Sequence, residues 1–348
     1  MQTIPAQQLG VYSWQQQLRD AITDPRELIQ QLQLPLNLLD GIAAAQASFS
    51  LRVPQAYLQR MRLGDPTDPL LLQVLPQARE MNPVPGYSHD PLGEAAANPL
   101  EGVIHKYQGR LLLIVSGGCA INCRYCFRRH FPYADNQLGG ETWQRVLDYL
   151  RADSEVSEVI LSGGDPLATT DKRLAEMLRD LEQIPHLQRL RIHTRLPVVI
   201  PDRVTPALTT LLAQTRLRTV LVTHINHPNE LDDSVGDALQ RLHQSGTLLL
   251  NQSVLLRGVN DDLSTLKTLS ETLFAHQVLP YYLFLLDPVA GSAHFDLGVE
   301  ESQQLAGQLA AQLPGYLVPQ LVREQAGALA KVPLQPRIPG ASQDTCRN

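Results

Sequence analysis

Six short apolar runs, separated by longer amphipathic stretches, restrict the second two-thirds of this chain to one broad architecture. The runs are Leu111–Val115, Val156–Leu161, Leu187–His193, Thr219–Thr223, Thr247–Leu255 and Val278–Leu286. Near-continuous apolar runs of this length suit strands buried on both faces of a parallel sheet. Helices are expected between them at Glu141–Arg151, Asp171–Gln183, Pro206–Gln214, Glu230–Gln244, Leu263–His276 and Glu300–Leu313. Six βα units in series imply right-handed crossovers and a parallel sheet, either doubly wound or curled into a barrel. Each run leads directly into polar chemistry. The first enters Ser116-Gly117-Gly118-Cys119 and the second Ser162-Gly163-Gly164-Asp165-Pro166. The third ends at His193-Thr194-Arg195, the fourth at His224-Ile225-Asn226-His227, the fifth carries Asn251-Gln252-Ser253, and the sixth ends at Asp287. Polar groups at the same end of every strand favour a barrel mouth over an open sheet, which uses one switch point. The expected fold is α/β: a partial (β/α)6, TIM-like barrel over residues 96–315, a helical extension over 1–95 and a short segment over 316–348.

Residues 1–95 are rich in Gln and Leu. Asp24 as N-cap, Pro25 at the first helical position and Glu27 closing a capping box predict a helix that ends at Leu34-Pro35. A second helix is expected over Pro54 to Arg62, and residues 64–99, with many Pro and Gly, read as irregular connection. A net charge of −6 and 5% aromatic residues argue against nucleic-acid binding through a basic face or base stacking. Four cysteines in 348 residues exclude a disulfide-stapled scaffold. The first residues lack a basic stretch followed by an apolar core, and no apolar run nears the ~18 residues of a membrane span. A soluble cytoplasmic protein is therefore expected.

Three of those cysteines fall within eight residues, Cys119-Ala-Ile-Asn-Cys123-Arg-Tyr-Cys126, directly after the first run. Such a loop can wrap three thiolates around one face of a metal centre. Iron–sulfur clusters are held by cysteine thiolates, normally four, so three local cysteines leave one iron open to substrate or cofactor. Structural zinc wants four ligands, and His130 is the alternative fourth ligand here.

The spacing C-x-x-x-C-x-x-C, with aromatic Tyr125 before the third cysteine, resembles the signature of the radical S-adenosylmethionine superfamily. The resemblance implies a 4Fe-4S cluster on Cys119, Cys123 and Cys126 whose open iron chelates S-adenosylmethionine. Reduction by a partner such as flavodoxin or ferredoxin then yields a 5′-deoxyadenosyl radical. Ser162, Gly163, Gly164 and Asp165 are similar to the glycine-rich motif that binds the methionine amine.

Longer stretches are similar to lysine 2,3-aminomutases: Arg110-Leu-Leu-Leu-Ile, Cys126-Phe-Arg128-Arg129, Thr223-His224-Ile-Asn226-His227-Pro-Asn-Glu230 and Asn251-Gln252 through Asn260. Pro280-Tyr281-Tyr282 leading to Asp287, and Ala293-His294-Phe295, extend the likeness. That family holds pyridoxal phosphate on a lysine, and this chain has only Lys106, Lys172, Lys267 and Lys331. The resemblance selects Lys331, in a tail that keeps Lys-x-Pro and Gly327 but has Ala and Leu where most of the family's glycines stand. The other three are expected to be solvated. The resemblance further implies that Arg110 binds the cofactor phosphate and that Arg128 grips the substrate carboxylate. Asp287 and Glu324 then clamp the substrate ε-ammonium, with Glu324 replacing the family's Asp. Two acids facing one cation indicate L-lysine rather than glutamate. His224 and Gln252 are expected to help bind S-adenosylmethionine or cofactor, whereas Asn226 and His227 serve as helix caps.

Larger relatives carry extra C-terminal zinc cysteines. This chain has only Cys346, and Asp262 falls near another zinc-cysteine position, so no zinc and different subunit contacts are expected, with a homo-oligomer left open. The short form resembles the bacterial branch that makes (R)-β-lysine for a ligase that modifies translation elongation factor P. Two rival readings are a radical enzyme without pyridoxal phosphate that modifies RNA or protein, and a zinc-bound interaction module without catalysis.

Overall fold

The computed structural model describes residues 13–136 and 138–340, so Cys346 lies outside the described residues. One nine-stranded sheet organises the chain in simple sequence order. Its strands are β1 Val103–Tyr107, β2 Arg110–Ser116, β3 Glu158–Gly163, β4 Arg189–Thr194, β5 Arg218–His224, β6 Leu248–Val254, β7 Leu279–Phe284, β8 Gln320–Arg323 and β9 Val332–Pro333. Strands β2 to β8 are parallel, and β1 and β9 add antiparallel edges. All six expected strands and six expected helices are present. The helices are α1 Gly140–Ala152, α2 Asp171–Glu182, α3 Pro206–Gln214, α4 Asp233–Gln244, α5 Leu263–Ala275 and α6 Val299–Ala310.

The local causes are plain. Every residue of β3 is buried, as a strand covered on both faces requires. Helix α1 turns Trp143, Val146, Leu147 and Leu150 inward at helical spacing. Thr170, Thr205, Asp232 and Asp262 accept backbone N–H groups at the starts of α2, α3, α4 and α5. Asp262 is therefore a helix cap. No helix among the described residues is long and apolar enough to cross a membrane.

Several local expectations are corrected. Pro25–Gln31 is a helix capped by Asp24, but the Glu27 side chain accepts from Gln31 instead of closing a capping box. The second N-terminal helix is only Gln55–Leu58, and Glu230 belongs to a 3₁₀ turn before α4. Edge strand β1 has no apolar run to announce it, since its inner half is Val-Ile and its outer half His-Lys-Tyr.

The N-terminal residues share the barrel's core. Leu28, Leu58 and Leu71 belong to one apolar cluster with Leu111, Val159, Leu190, Leu221 and Leu249. They also back the cysteine loop. Fully buried Arg124 donates to Glu80 (2.9 Å) and to the carbonyls of Phe49 and Ala45, and the Arg124 N–H donates to the Gln73 carbonyl.

The sheet does not close on itself, since β1 and β9 share no ladder. An ion pair bridges the gap: Lys106 of β1 reaches Glu324, after β8, at 3.1 Å. The tail beyond β9 is pinned to α6. Arg337 N–H donates to the Gln303 carbonyl (2.8 Å), and Gln303 donates to the Gln335 carbonyl (3.0 Å). A Cβ on Gly307 would run into the Arg337 carbonyl, so only glycine allows this approach. Gly307→Ala is expected to cost about 1–3 kcal/mol by overpacking and to expose the tail after Lys331 to limited proteolysis. An unchanged melting curve and digestion pattern would refute this.

Candidate active site

The barrel interior, from Arg110 and Glu158 at the starts of β2 and β3 to the loops at the C-terminal ends of the strands, encloses a cavity of about 500 Å³. All fourteen site residues expected from the sequence line it: Arg110, Cys119, Cys123, Cys126, Arg128, Ser162, Gly163, Gly164, Asp165, His224, Gln252, Asp287, Glu324 and Lys331.

The cysteine loop and the Ser-Gly-Gly-Asp-Pro loop are stapled together. Gly164 N–H donates to the Ser116 carbonyl (2.7 Å), and Asp165 N–H donates to the Gly118 carbonyl (2.9 Å). A Cβ on Gly163 or Gly164 would stand 2.5 Å from the Ser116 or Gly118 carbonyl oxygen. The glycines thus admit the neighbouring backbone, a closer cause than approach to a ligand. Asp165 is engaged inward: its carboxylate accepts from Thr194 Oγ1 (2.7 Å), Leu167 N–H (3.0 Å) and Arg195 N–H (2.8 Å). Burial pushes it up to about 6.

Burial also raises the Cys119 and Cys126 thiols, the latter to about 12, with further repulsion from neighbouring cysteines. Cys119 and Cys126 therefore resist ionisation until a cationic centre is bound. Among the described residues, no three His, Cys, Asp or Glu side chains are arranged around one metal-ion position. His130, the alternative zinc ligand, stacks on His89 and lines a separate cavity of about 330 Å³. The three-thiol loop fits a cluster in which each sulfur takes a different iron.

A buried polar web lies beneath this loop. Arg195 donates to Cys123 Sγ (2.7 Å), Tyr125 Oη (3.0 Å), Gln73 Oε1 (2.7 Å) and Glu230 (2.8 Å). Asn226 donates to Tyr125 Oη (2.7 Å) and accepts from Val254 N–H, so it braces β5 to β6 and caps nothing. His227 does cap, through Nδ1 to Asn229 N–H. His224 meets Tyr125 Oη at 3.1 Å, and burial and Arg195 lower it to about 3, so its ring is neutral.

Six cationic side chains line the cavity against five carboxyl groups. Burial and nearby Glu324 push Asp287 up to about 7. Burial opposes ionisation of Glu324 too, but Lys331 (2.9 Å) and Lys106 (3.1 Å) hold it down to about 2. Lys106 is therefore a half-buried member of the site and not solvated, while Lys172 is exposed. Tyr107, Tyr282 and Phe284 form an aromatic wall around the Lys331 ammonium, at 6.0, 5.8 and 4.9 Å.

Arg191 is spent on Glu158 (3.0 and 2.6 Å), whereas Arg110 stacks on Tyr107 (4.4 Å) and has no carboxylate partner among the described residues. His193 contributes a buried Nε2 without a partner. An unspent guanidinium, an orphaned ring nitrogen and excess positive charge fit a phosphate-bearing cofactor. Sequence reasoning missed Lys106, Glu94, Arg191 and Glu158. It flagged Arg195 and His193 only as polar strand ends.

Residues 113–269 match the family model for the Radical SAM superfamily. A parallel sheet carrying three thiols at the mouth of its first parallel strand, stapled to a Gly-Gly loop from the next, defines a radical S-adenosylmethionine enzyme. The chain is 53% identical to an L-lysine 2,3-aminomutase of Haemophilus influenzae over 90% of this chain and 93% of that one. It is 50% identical to an L-lysine 2,3-aminomutase of Escherichia coli (92% and 94%) and 36% identical to one of Clostridium subterminale (93% and 78%). The chain belongs to the L-lysine 2,3-aminomutase family, a group of isomerases that use a 4Fe-4S cluster, S-adenosylmethionine and pyridoxal phosphate.

Removing Arg195 leaves Glu230 charged and buried without its cation. Arg195→Leu is expected to destabilise the cofactor-free protein by about 3–5 kcal/mol, and Arg195→Leu/Glu230→Leu to regain part of that loss. Urea unfolding measures both, and a double variant no better than the single one would refute the pairing.

Proposed function

We propose that this enzyme converts free L-lysine to (R)-β-lysine, which a ligase then attaches to translation elongation factor P. The observation that carries the lysine assignment is Glu324. Its carboxylate holds the ammonium groups of two lysines of the chain, with Asp287 beside it. A site that binds its own lysine side chains is chemically suited to a substrate's.

The bound cofactors supply a hydrogen-abstracting radical and a carbonyl that takes up the migrating amine. The chain's residues do the rest. Cys119, Cys123 and Cys126 hold the cluster, and the Ser162–Asp165 loop, with His224 and Gln252, receives S-adenosylmethionine. Arg110 would bind the cofactor phosphate, and Lys331 would be the lysine that holds the cofactor. Arg128 fixes the substrate carboxylate, and Asp287 with Glu324 fixes the far ammonium. Anchoring both ends places the substrate's Cβ in one position, which an unselective radical requires. The aromatic wall of Tyr107, Tyr282 and Phe284 keeps water from that position. The elongation-factor assignment is supported by the greater likeness to the Haemophilus and Escherichia relatives than to the Clostridium one. A flavodoxin or ferredoxin supplies the electron.

Anaerobically reconstituted enzyme is expected to turn labelled free lysine into β-lysine whether or not the factor is added. A requirement for the factor would move the substrate assignment to protein-bound lysine. Lys331→Ala is expected to lose turnover and the borohydride-reduced pyridoxyl adduct; full activity without it would favour an enzyme that does not use pyridoxal phosphate. A neutral Asp287 cannot hold an ammonium, so kcat/KM for lysine should rise as pH passes about 7. In Asp287→Asn that limb should vanish, and its persistence would assign the titration elsewhere.

A further inference from the structure

Arg128 does not wait unpaired in the cavity. Glu94 takes it side-on, with Nε to Oε2 and Nη2 to Oε1 both at 2.7 Å. Nη1 donates to Ser162 Oγ at 3.1 Å. A guanidinium has five N–H groups, so these three bonds leave one N–H on each terminal nitrogen. Those two can receive a second carboxylate while Glu94 stays in place.

Glu94 is built to stay. It is 4% exposed and opens a short 3₁₀ turn after Gly93, which adopts a left-handed conformation. The Asp90 carboxylate accepts the N–H groups of Glu94 (2.9 Å) and Ala95 (3.2 Å) and fixes that turn. Lys106 stands 3.4 Å from Glu94 and ties it to the ion pairs of Glu324. Glu94 thus belongs to a rigid element outside the barrel strands, with its charge aimed at one cavity arginine.

We propose that Glu94 is a positioning residue: it holds the Arg128 guanidinium so that the remaining edge meets the α-carboxylate of the substrate. This rests on the assignment of lysine as substrate and of Arg128 as its carboxylate partner. It makes the carboxylate end of the site a relay in which an acid from the N-terminal segment orients a base of the cysteine loop.

The test compares reconstituted wild-type enzyme with Glu94→Gln and Glu94→Asp. Two quantities are read: kcat and KM for L-lysine, and competitive inhibition by 1,5-diaminopentane, which keeps both amines but has no carboxylate. Glu94→Gln is expected to raise the lysine KM about tenfold or more, change kcat less than about threefold and leave diaminopentane inhibition within about twofold. Glu94→Asp keeps the charge but shortens the reach, so it should show the same selective loss in smaller measure and serves where the Gln variant folds poorly. Equal weakening of both ligands would reduce Glu94 to a structural role and overturn the proposal. An unchanged or lowered lysine KM would also overturn it, the latter by making Glu94 a competitor of the substrate. Wild-type enzyme without lysine turnover would instead overturn the functional assignment, and this inference with it.

Discussion

Glu324 joins the two ends of an open sheet. Strand β1 and the β8–β9 connection share no backbone ladder, and the lysines on either side of the gap, Lys106 and Lys331, converge on one carboxylate. The consequence is geometric. Lys331 comes from a tail with no buried side chain over residues 324–340, and that tail is positioned by three things: the ion pair, the two-residue β9 and the seat on Gly307 of α6. A charge pair of this kind contributes little to stability when exposed, and when partly buried, as here, desolvation offsets much of its attraction. Its larger effect is to set where the Lys331 amine stands in the cavity wall.

The same logic runs through the rest of the site. Arg128 is met by Glu94, Arg191 by Glu158, Arg195 by Glu230, and Glu324 by two lysines. A low-polarity cavity can keep this many charges only if they are paired. The groups left unpaired are then informative. Among the described residues Arg110 has no carboxylate partner and the His193 Nε2 has no hydrogen-bond partner, and burial raises the Cys119 and Cys126 thiols; these groups are assigned to phosphate and cluster. Asp287 has no ion-pair partner among the described residues, and burial together with nearby Glu324 raises it toward neutrality.

The parallel strands were legible because each is buried on both faces and therefore continuously apolar. The glycine and cysteine loops were legible because chemistry there restricts residue type. Glu94 was not, since a lone acid in a Pro- and Gly-rich stretch has no periodicity and acquires meaning only when the chain folds it against Arg128, 34 residues later. Lys106 was misjudged for a related reason. It sits on β1, whose mixed His-Lys-Tyr half gives no strand signal, so its burial depends on a partner 218 residues away. Local pattern reports backbone state; long-range charge pairing is decided by topology.

This internal pairing changes how substrate binding has to be understood. An incoming lysine does not meet bare charges. In the proposed binding mode its ammonium would share or replace the Lys331 and Lys106 contacts on Glu324, and its carboxylate would use the edge of Arg128 that Glu94 leaves free. The net gain is a difference between two satisfied states, smaller than the contacts alone suggest. Affinity is thereby limited while orientation is kept, and orientation is what radical chemistry needs, since a misplaced substrate is damaged rather than merely unreacted. Were Lys331 to hold the cofactor, its amine would leave Glu324, which would keep Lys106 as its one lysine partner with Asp287 nearby. The acidic end of the cavity would then have one cation fewer against the same two carboxyl groups and would suit an incoming ammonium.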